Sequence, residues 1–299
     1  MQIVTKHIGK SPLGLLLLTG GLLGLTPPLG KMALENGIDP IVWAFVISAG
    51  AGTILLFVVF WRRNHMPMTP RHLRYFLAGS VISYALPNFL MFSAIPHLGA
   101  GYTSIMYTLS PIITLLLSIL LGVDRPKALG VAGIVVGFIG ALVVATTRGQ
   151  LGKPAELYWV VLGLLIPVSL ACGNIYRTMD WPEGADPLEL AVGTHLAAAA
   201  ILCAALLIHG GGSSLLPLAD IPLLVLTQVA VAATMFALFF RLQLIGGPVY
   251  LSQIGYVAAA VSLLIGVLFL DERYALLTWL GAGIVTTGVI MTTKARQMA

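Results

Sequence analysis

The chain has 299 residues, 58% of them hydrophobic and only 9% charged, with a net charge of +5. A soluble domain carries about 25% charged residues, and here the apolar residues form long runs between short polar breaks, which excludes a soluble globular protein. The basic residues cluster at the ends of those runs, where they orient a membrane protein, so the positive balance does not argue for nucleic-acid binding.

A helix needs about 20 apolar residues to cross the hydrocarbon core. The segments 12–32, 38–61, 72–94, 99–121, 127–147, 156–178, 187–209, 218–243, 248–270 and 274–293 meet that need. They predict an all-α integral membrane protein of ten transmembrane helices with no attached soluble domain. The first run follows Lys6 and Lys10 and extends to Leu29 with no A-x-A site after it. It reads as a retained helix rather than a signal peptide. Within it "TPPLG" (26–30) predicts a break or kink, so Pro27 and Pro28 are gate or hinge candidates. Trp43 comes early in the second segment. In the third, Tyr84 and Asn88 share one face at i,i+4, with Pro87 beside them as a further hinge candidate. In the fourth, Ser104, Tyr107, Ser110 or Pro111, and Thr114 follow a helical stripe, and Pro111 is a second mid-helix hinge. The fifth carries "GIVVG" (133–137), which allows close helix contact. Asn174 and Tyr176 come late in the sixth, His195 about two turns into the seventh, Gln228 and Met235 on the eighth, and Gln253 and Tyr256 on the ninth. Cys172 and Cys203 lie in apolar runs with no metal or redox spacing, and read as small core residues. Trp61, Tyr75, Tyr158 and Trp279 sit near segment ends and read as interfacial anchors.

An ionisable side chain in mid-membrane is a functional pointer by default. No Asp, Glu, Lys or Arg falls near the middle of any segment. A carrier of phosphates needs Lys or Arg in its cavity, so strongly anionic substrates are not expected, and a buried carboxylate for proton coupling has no candidate. His195 is the one titratable group well inside a run. It is either a packing histidine bonded to a backbone carbonyl or a proton carrier. Uncharged polar groups in lipid cost several kcal/mol when unpaired, so the Tyr, Asn, Gln and Ser set faces either neighbouring helices or a cavity. As a cavity, Trp43, Tyr84, Asn88, Tyr107, Ser110, Asn174, His195, Gln228, Gln253 and Tyr256 would suit an amino acid or a flat aromatic metabolite. No H-E-x-x-H, paired membrane aspartates or G-x-S-x-G is present. Neither enzyme chemistry nor a cofactor or metal is expected. The expected partners are a small-molecule solute and the bilayer, for a chain that is a monomer or a homodimer.

With the N-terminus in the cytoplasm, the inner segments hold Lys6, Lys10, Arg62, Arg63, Arg71, Arg74, Arg125, Lys127, Arg177, Arg241, Lys294 and Arg296, and the outer ones only Lys31, Arg148, Lys153 and Arg273. That bias places both termini in the cytoplasm. The chain also repeats itself. Sliding 90–146 onto 238–294 pairs Gly99 with Gly247, Tyr102 with Tyr250, Ser104 with Ser252, Arg125 with Arg273, Gly133 with Gly281 and Gly140 with Gly288. Upstream, "GIDP" (37–40) echoes "GADP" (184–187). Two five-helix repeats, 1–150 and 151–299, follow. Since five is odd, the second must be inverted across the membrane, with Asp124 and Arg125 on the cytoplasmic side and Glu272 and Arg273 outside.

Ten helices in two such halves resemble the drug/metabolite transporter superfamily, in its EamA-type members. The marks of the resemblance are the doubled hairpins: an acid at Asp124 or Glu272, then glycines at Gly133 and Gly140 or Gly281 and Gly288. The family's usual Gly-Glu at the break is replaced here by "GVD" and "LDE". Within the family the chain is most similar to bacterial amino-acid exporters of the YddG type. The resemblance implies an inner-membrane secondary transporter working by alternating access around a central cavity. It also implies a path lined by the third, fourth, eighth and ninth helices and parts of the first, second, sixth and seventh, with the fifth and tenth peripheral. The alternative is a broad exporter of drugs or lipophilic metabolites; a non-transporting scaffold or receptor fits the inverted symmetry less well.

Overall fold

The computed structural model describes residues 11–62, 66, 68–123, 127–147, 149–150, 153–208 and 215–297. Lys6, Lys10, Arg63, Asp124, Arg125 and Arg148, which carry part of the orientation and hairpin reading, lie outside the described residues. Helices α1 (Pro12–Glu35) and α2 (Pro40–Trp61) are continuous. The third rod is composite: α3 (Pro70–Ser80), a π-helical turn (Val81–Ala85) and α4 (Leu86–Leu98). The fourth is α5 (Ala100–Ile105), a 3₁₀ turn (Met106–Leu109) and α6 (Ser110–Leu120). After α7 (Ala128–Ala145), strands β1 (Gly149–Gln150) and β2 (Lys153–Pro154) pair antiparallel. Then come α8 (Leu157–Met179), α9 (Pro187–Ile208), a 3₁₀ turn (Leu216–Asp220), α10 (Pro222–Ser252), α11 (Ile254–Phe269) and α12 (Leu276–Gln297). Helix α10 changes direction at Gly247, so its last residues run on with α11 as one rod. Among the described residues, seven rods are long and apolar enough to cross a bilayer, and three shorter apolar helices, Ala128–Val144, Ile254–Phe269 and Leu276–Thr292, accompany them.

The repeated motifs do the same local work twice. In "GIDP" and "GADP" the glycines Gly37 (φ 79°) and Gly184 (φ 71°) take the left-handed turn that a side chain resists. The aspartates then cap the next helix: Asp39 accepts from the Ile41 N–H at 3.0 Å and Asp186 from the Leu188 N–H at 2.8 Å. Pro40 and Pro187 supply the first helical residue, where the missing N–H costs nothing. Gly99 (φ 83°) and Gly247 (φ 70°) turn the chain between rods in each half.

The contact pattern is unchanged when the two halves are exchanged. Helix α1 packs on α11 and α10, as α8 packs on α6 and α4. Helix α2 packs on α10, as α9 packs on α3, while α2 with α9, α5 with α11 and α7 with α12 are self-matched pairs. In lipid the drive for such contacts is close backbone approach rather than water exclusion. The glycines of the doubled hairpin provide it. A Cβ on Gly140 would stand 2.7 Å from the Gly281 carbonyl oxygen, and one on Gly133 2.8 Å from that of Gly288. Gly281 and Gly288 answer against Gly140 and Gly133 in turn. Helices α7 and α12 are therefore an antiparallel pair locked backbone to backbone, set to one side of the bundle. Exposed Phe57, Phe60, Leu207, Leu268 and Phe269 present an apolar exterior, as a bilayer requires.

Three expectations need correction. Helix α1 runs through Pro27 and Pro28 without a break. The two lost helix bonds are tolerated because Gly20 and Gly24 seat α1 tightly on α11, with the Ala258 carbonyl 2.7 Å from a Cβ at Gly24. Cys172 and Cys203 are exposed, on the outer faces of α8 and α9, not in the core. Tyr75 is fully buried and packs edge-on against Trp181 and Phe76, whereas Trp61, Tyr158 and Trp279 are exposed as belt residues should be.

Candidate functional site

Three rods are disturbed where the site lies, two of them by prolines. Pro87 lacks the N–H that the Ser83 carbonyl would accept, and its ring presses on that carbonyl. The chain widens there into the π turn Val81–Ala85, a feature frequent at functional sites. Ser169 of α8 takes up the slack by donating to the Ile82 carbonyl at 2.6 Å. Pro111 acts likewise on the Tyr107 carbonyl, and the chain tightens into the 3₁₀ turn Met106–Leu109. The Tyr107 oxygen accepts from the Ser110 N–H instead and faces Gly255, where a Cβ would come within 2.7 Å of it. On the opposite rod, helix α10 stops at Ser252 and α11 restarts at Ile254, with Gln253 in between.

All three irregularities line one cavity of about 60 Å³. Ser83, Tyr84, Pro87 and Asn88 come from the third rod, and Tyr107 and Ser110 from the fourth. Leu170 and Asn174 come from α8, Met235, Phe236 and Phe239 from α10, and Ser252, Ile254 and Gly255 from the second break. The Tyr84 hydroxyl, Ser83 Oγ and Asn88 Nδ2 are buried with no hydrogen-bond partner. Unpaired buried polar groups cost about 1–3 kcal/mol each and need a ligand, a water or a change of state to account for them. Tyr107 donates to Met91 Sδ, and Asn174 is 3.5 Å from Thr114 Oγ1.

Of the residues singled out from the sequence, Tyr84, Asn88, Tyr107, Ser110, Asn174 and Pro87 thus come together. Met235 joins them, and the other candidates stand behind or away from the lining. His195 is fully buried one layer out, with ring centroids 4.3 Å from Tyr84 and 3.8 Å from Phe236. Neither of its nitrogens has a partner, so it is not held by a backbone carbonyl. Trp43 is buried beside Gly30 of α1, and Gln228 is buried with both amide atoms unpaired. Gln253 accepts from the Thr292 hydroxyl at 3.0 Å. Tyr256 points its hydroxyl at Gly137 of α7, away from the cavity. A stripe read at 100° per residue misplaces Gln253 and Tyr256 because the chain breaks at Gln253.

The expectation of a bundle interior without a cation is overturned by Arg177, which stands behind the lining residues Asn174, Tyr84 and Phe239. Its Cα lies in the last turn of α8, where it reads as a loop-end charge. Side chains on a helix tilt toward its N-terminus, and this one runs back into the bundle, 1% exposed. Nε donates to Gln243 Oε1 at 2.8 Å and Nη2 to Asn174 Oδ1 at 2.7 Å. The guanidinium lies 5.5 Å from the Tyr84 ring centroid and 4.9 Å from that of Phe239. Its i,i+3 spacing from Asn174 was the available signal. Phe236 and Phe239, inside "MFALFF", gave none.

The two ends of the bundle differ. At the end holding Lys31, a vestibule of about 580 Å³ opens among Lys31, Glu35, His97, Glu156 and Trp159, with His97 stacked on Trp159 at 3.7 Å. Beside it Glu272, 1% exposed, accepts from Lys31 Nζ at 2.8 Å, from the Ala100 and Gly101 N–H groups at 2.7 and 3.1 Å, and from the Tyr274 hydroxyl. Burial pushes its pKa up, but hydrogen bonds from Lys31, Tyr274, Gly101 and Ala100 outweigh that and hold it below the ordinary carboxylate value. Glu272 thus caps α5 and ties it to α1, which makes it a structural joint rather than chemistry. At the other end Arg74 pairs with Asp180, which also accepts from the Tyr176 hydroxyl at 2.7 Å.

The model of the EamA-like transporter family matches residues 11–146 and again 157–294. No curated protein matches the chain. A crystal structure of a protein, described no further than that, superposes with a TM-score of 0.67 over 93% of this chain and 98% of its own length. At 16% identity that likeness shows the fold alone.

Proposed function

Because the chain belongs to the EamA-like transporter family, within the drug/metabolite transporter superfamily, we propose that it is a secondary exporter of small neutral or zwitterionic metabolites, first among them amino acids with aromatic or other uncharged side chains. It works as ten spans in two inverted repeats, 1–150 and 151–299, in the inner (plasma) membrane with both termini cytoplasmic. Solute binds at Tyr84, Asn88, Tyr107, Ser110 and Asn174. The observation that carries the reading is the convergence of three broken rods on one cavity where the Ser83 and Tyr84 hydroxyls and Asn88 Nδ2 lack partners, the arrangement by which transporters present backbone and side chains to a solute at mid-membrane.

A cavity of about 60 Å³ holds a few waters, whereas small-molecule sites run to roughly 300 Å³ and more. Binding therefore needs the halves to part, and the vestibule of about 580 Å³ at the Lys31 end is an opening of the required size. By the distribution of basic residues that end faces outward. No carboxylate lines the cavity among the described residues, which counts against an exporter of cationic drugs. The test is flux of labelled amino acids through proteoliposomes, with and without a pH gradient. Saturable flux without the gradient supports an uncoupled carrier. Absence of flux for every amino acid refutes the substrate assignment, and a strict need for the gradient refutes the uncoupled reading and turns attention to His195.

A further inference from the structure

We infer that Arg177 is the carboxylate anchor of the transported solute, and that the protein selects solutes for a free carboxylate. The inference rests on the transport reading above and goes further than it, to a residue and a chemical group. A buried guanidinium is costly unless a counter-charge meets it. The ion pairs among the described residues join Lys31 to Glu35 and Glu272, and Arg74 to Asp180; none reaches Arg177. Its two hydrogen bonds go to the neutral amides of Gln243 and Asn174, and its faces to Tyr84 and Phe239. These partners orient the group without neutralising it. The second terminal nitrogen, Nη1, makes no hydrogen bond among the described residues.

Gly173 lets Ser83 and Nη1 lie close to each other. A Cβ there would collide with Ser83 Oγ and stand 3.1 Å from Nη1. Ser83 lines the cavity and its hydroxyl is unpaired. Asn174 lines the cavity and holds Nη2. The Ser83 hydroxyl at the cavity wall and the Arg177 Nη1 directly behind that wall therefore stand on either side of a residue with no side chain, and a shift of the wall between Ser83 and Asn174 would let the two donors meet one carboxylate. Such a site rejects the carboxamide, which leaves the buried cation unpaired, and it disfavours simple amines.

The test is flux through proteoliposomes of an aromatic amino acid, its carboxamide, and the aryl carboxylate that lacks the amine. Wild type is expected to prefer the amino acid over the carboxamide roughly ten- to hundredfold in kcat/KM. Arg177→Gln should bring that preference to within about twofold, and Arg177→Lys should keep part of it. Gly173→Ala retains the charge and crowds Nη1, so it should raise KM for the amino acid and not for the carboxamide; it decides the matter if Arg177→Gln fails to fold. Equal losses on amino acid and carboxamide in either variant overturn the anchor, because a residue that merely holds the helix ends together slows both alike. So does a wild type that does not discriminate, while the amino-acid reading stands. Arg177-dependent flux of the amine-free carboxylate with none of the amino acid keeps the anchor and overturns the amino-acid reading. Absence of flux for all three overturns both.

Discussion

Glu272 offers the sharpest energetic test of how the Lys31 end is held. Glu272→Gln removes the charge that meets Lys31 at 2.8 Å and leaves an amide that can satisfy only part of the Lys31, Ala100, Gly101 and Tyr274 donors. At that separation, with an effective permittivity of about 20, the gross attraction is about 6 kcal/mol. Removing one partner of such a pair costs about 3–5 kcal/mol in practice. The Lys31 side chain keeps 15% exposure, so its charge is partly hydrated and the lower figure applies. Lys31→Met should cost less than Glu272→Gln, because Glu272 keeps its backbone donors. The double variant should cost well under the sum, with a coupling energy above about 1.5 kcal/mol. The assay is a double-mutant cycle by denaturant unfolding in detergent micelles, read by tryptophan fluorescence. Additivity to within about 0.5 kcal/mol would show that Lys31 and Glu272 do not form one unit, and the joint described above would be wrong.

Further expectations follow from other parts of the bundle. The lowered pKa of Glu272 contributes stability that is present above the unfolded-state value, near pH 4.3, and lost as pH falls through the folded value; melting temperature should be level from pH 8 to 5 and fall only below about pH 4, and the Gln variant should lose that acid limb. A Cβ on Gly288 would stand 2.6 Å from the Gly137 nitrogen, so Gly288→Ala should destabilise by about 1–3 kcal/mol with solute KM unchanged, since the α7–α12 pair lies off the cavity; a raised KM would contradict that placement. Ser169→Ala abandons the Ile82 carbonyl and should cost about 1–2 kcal/mol, measured by the same unfolding assay.

Much of the fold was readable before the structure because the cues are local. "GIDP" and "GADP" announce a left-handed turn, a cap and a proline start, and all of them are found. The glycines of the fifth segment announced a close helix contact, and the structure supplies the partners, Gly133 with Gly288 and Gly140 with Gly281. Pro87 and Pro111 marked the disturbed turns, and the polar residues next to them, Tyr84, Asn88, Tyr107 and Ser110, line the cavity. What failed depends on how far a side chain travels or on where a helical phase is lost. Arg177 was placed by its Cα at a helix end, and its long side chain delivers the charge one turn inward. Tyr256 was placed by extending a stripe across Gln253, where the helix restarts with a new phase. Pro27 and Pro28 were read by propensity, and packing on α11 overrode it.

The glycine contacts between α7 and α12 have one more consequence. Gly133 meets Gly288 and Gly140 meets Gly281, each from both sides. This is the self-complementary, isologous geometry that two separate copies of a half-length chain would use to dimerise about a twofold axis. In such a dimer every substitution is made twice, and a lone buried cation is impossible: it would face its own image. Joined into one chain, the halves are free to differ. Arg177 has Leu29 at the matching offset of 148 and Gly30 at 147, and Tyr107 has Gly255. Tandem fusion is what lets a symmetric frame carry an asymmetric interior.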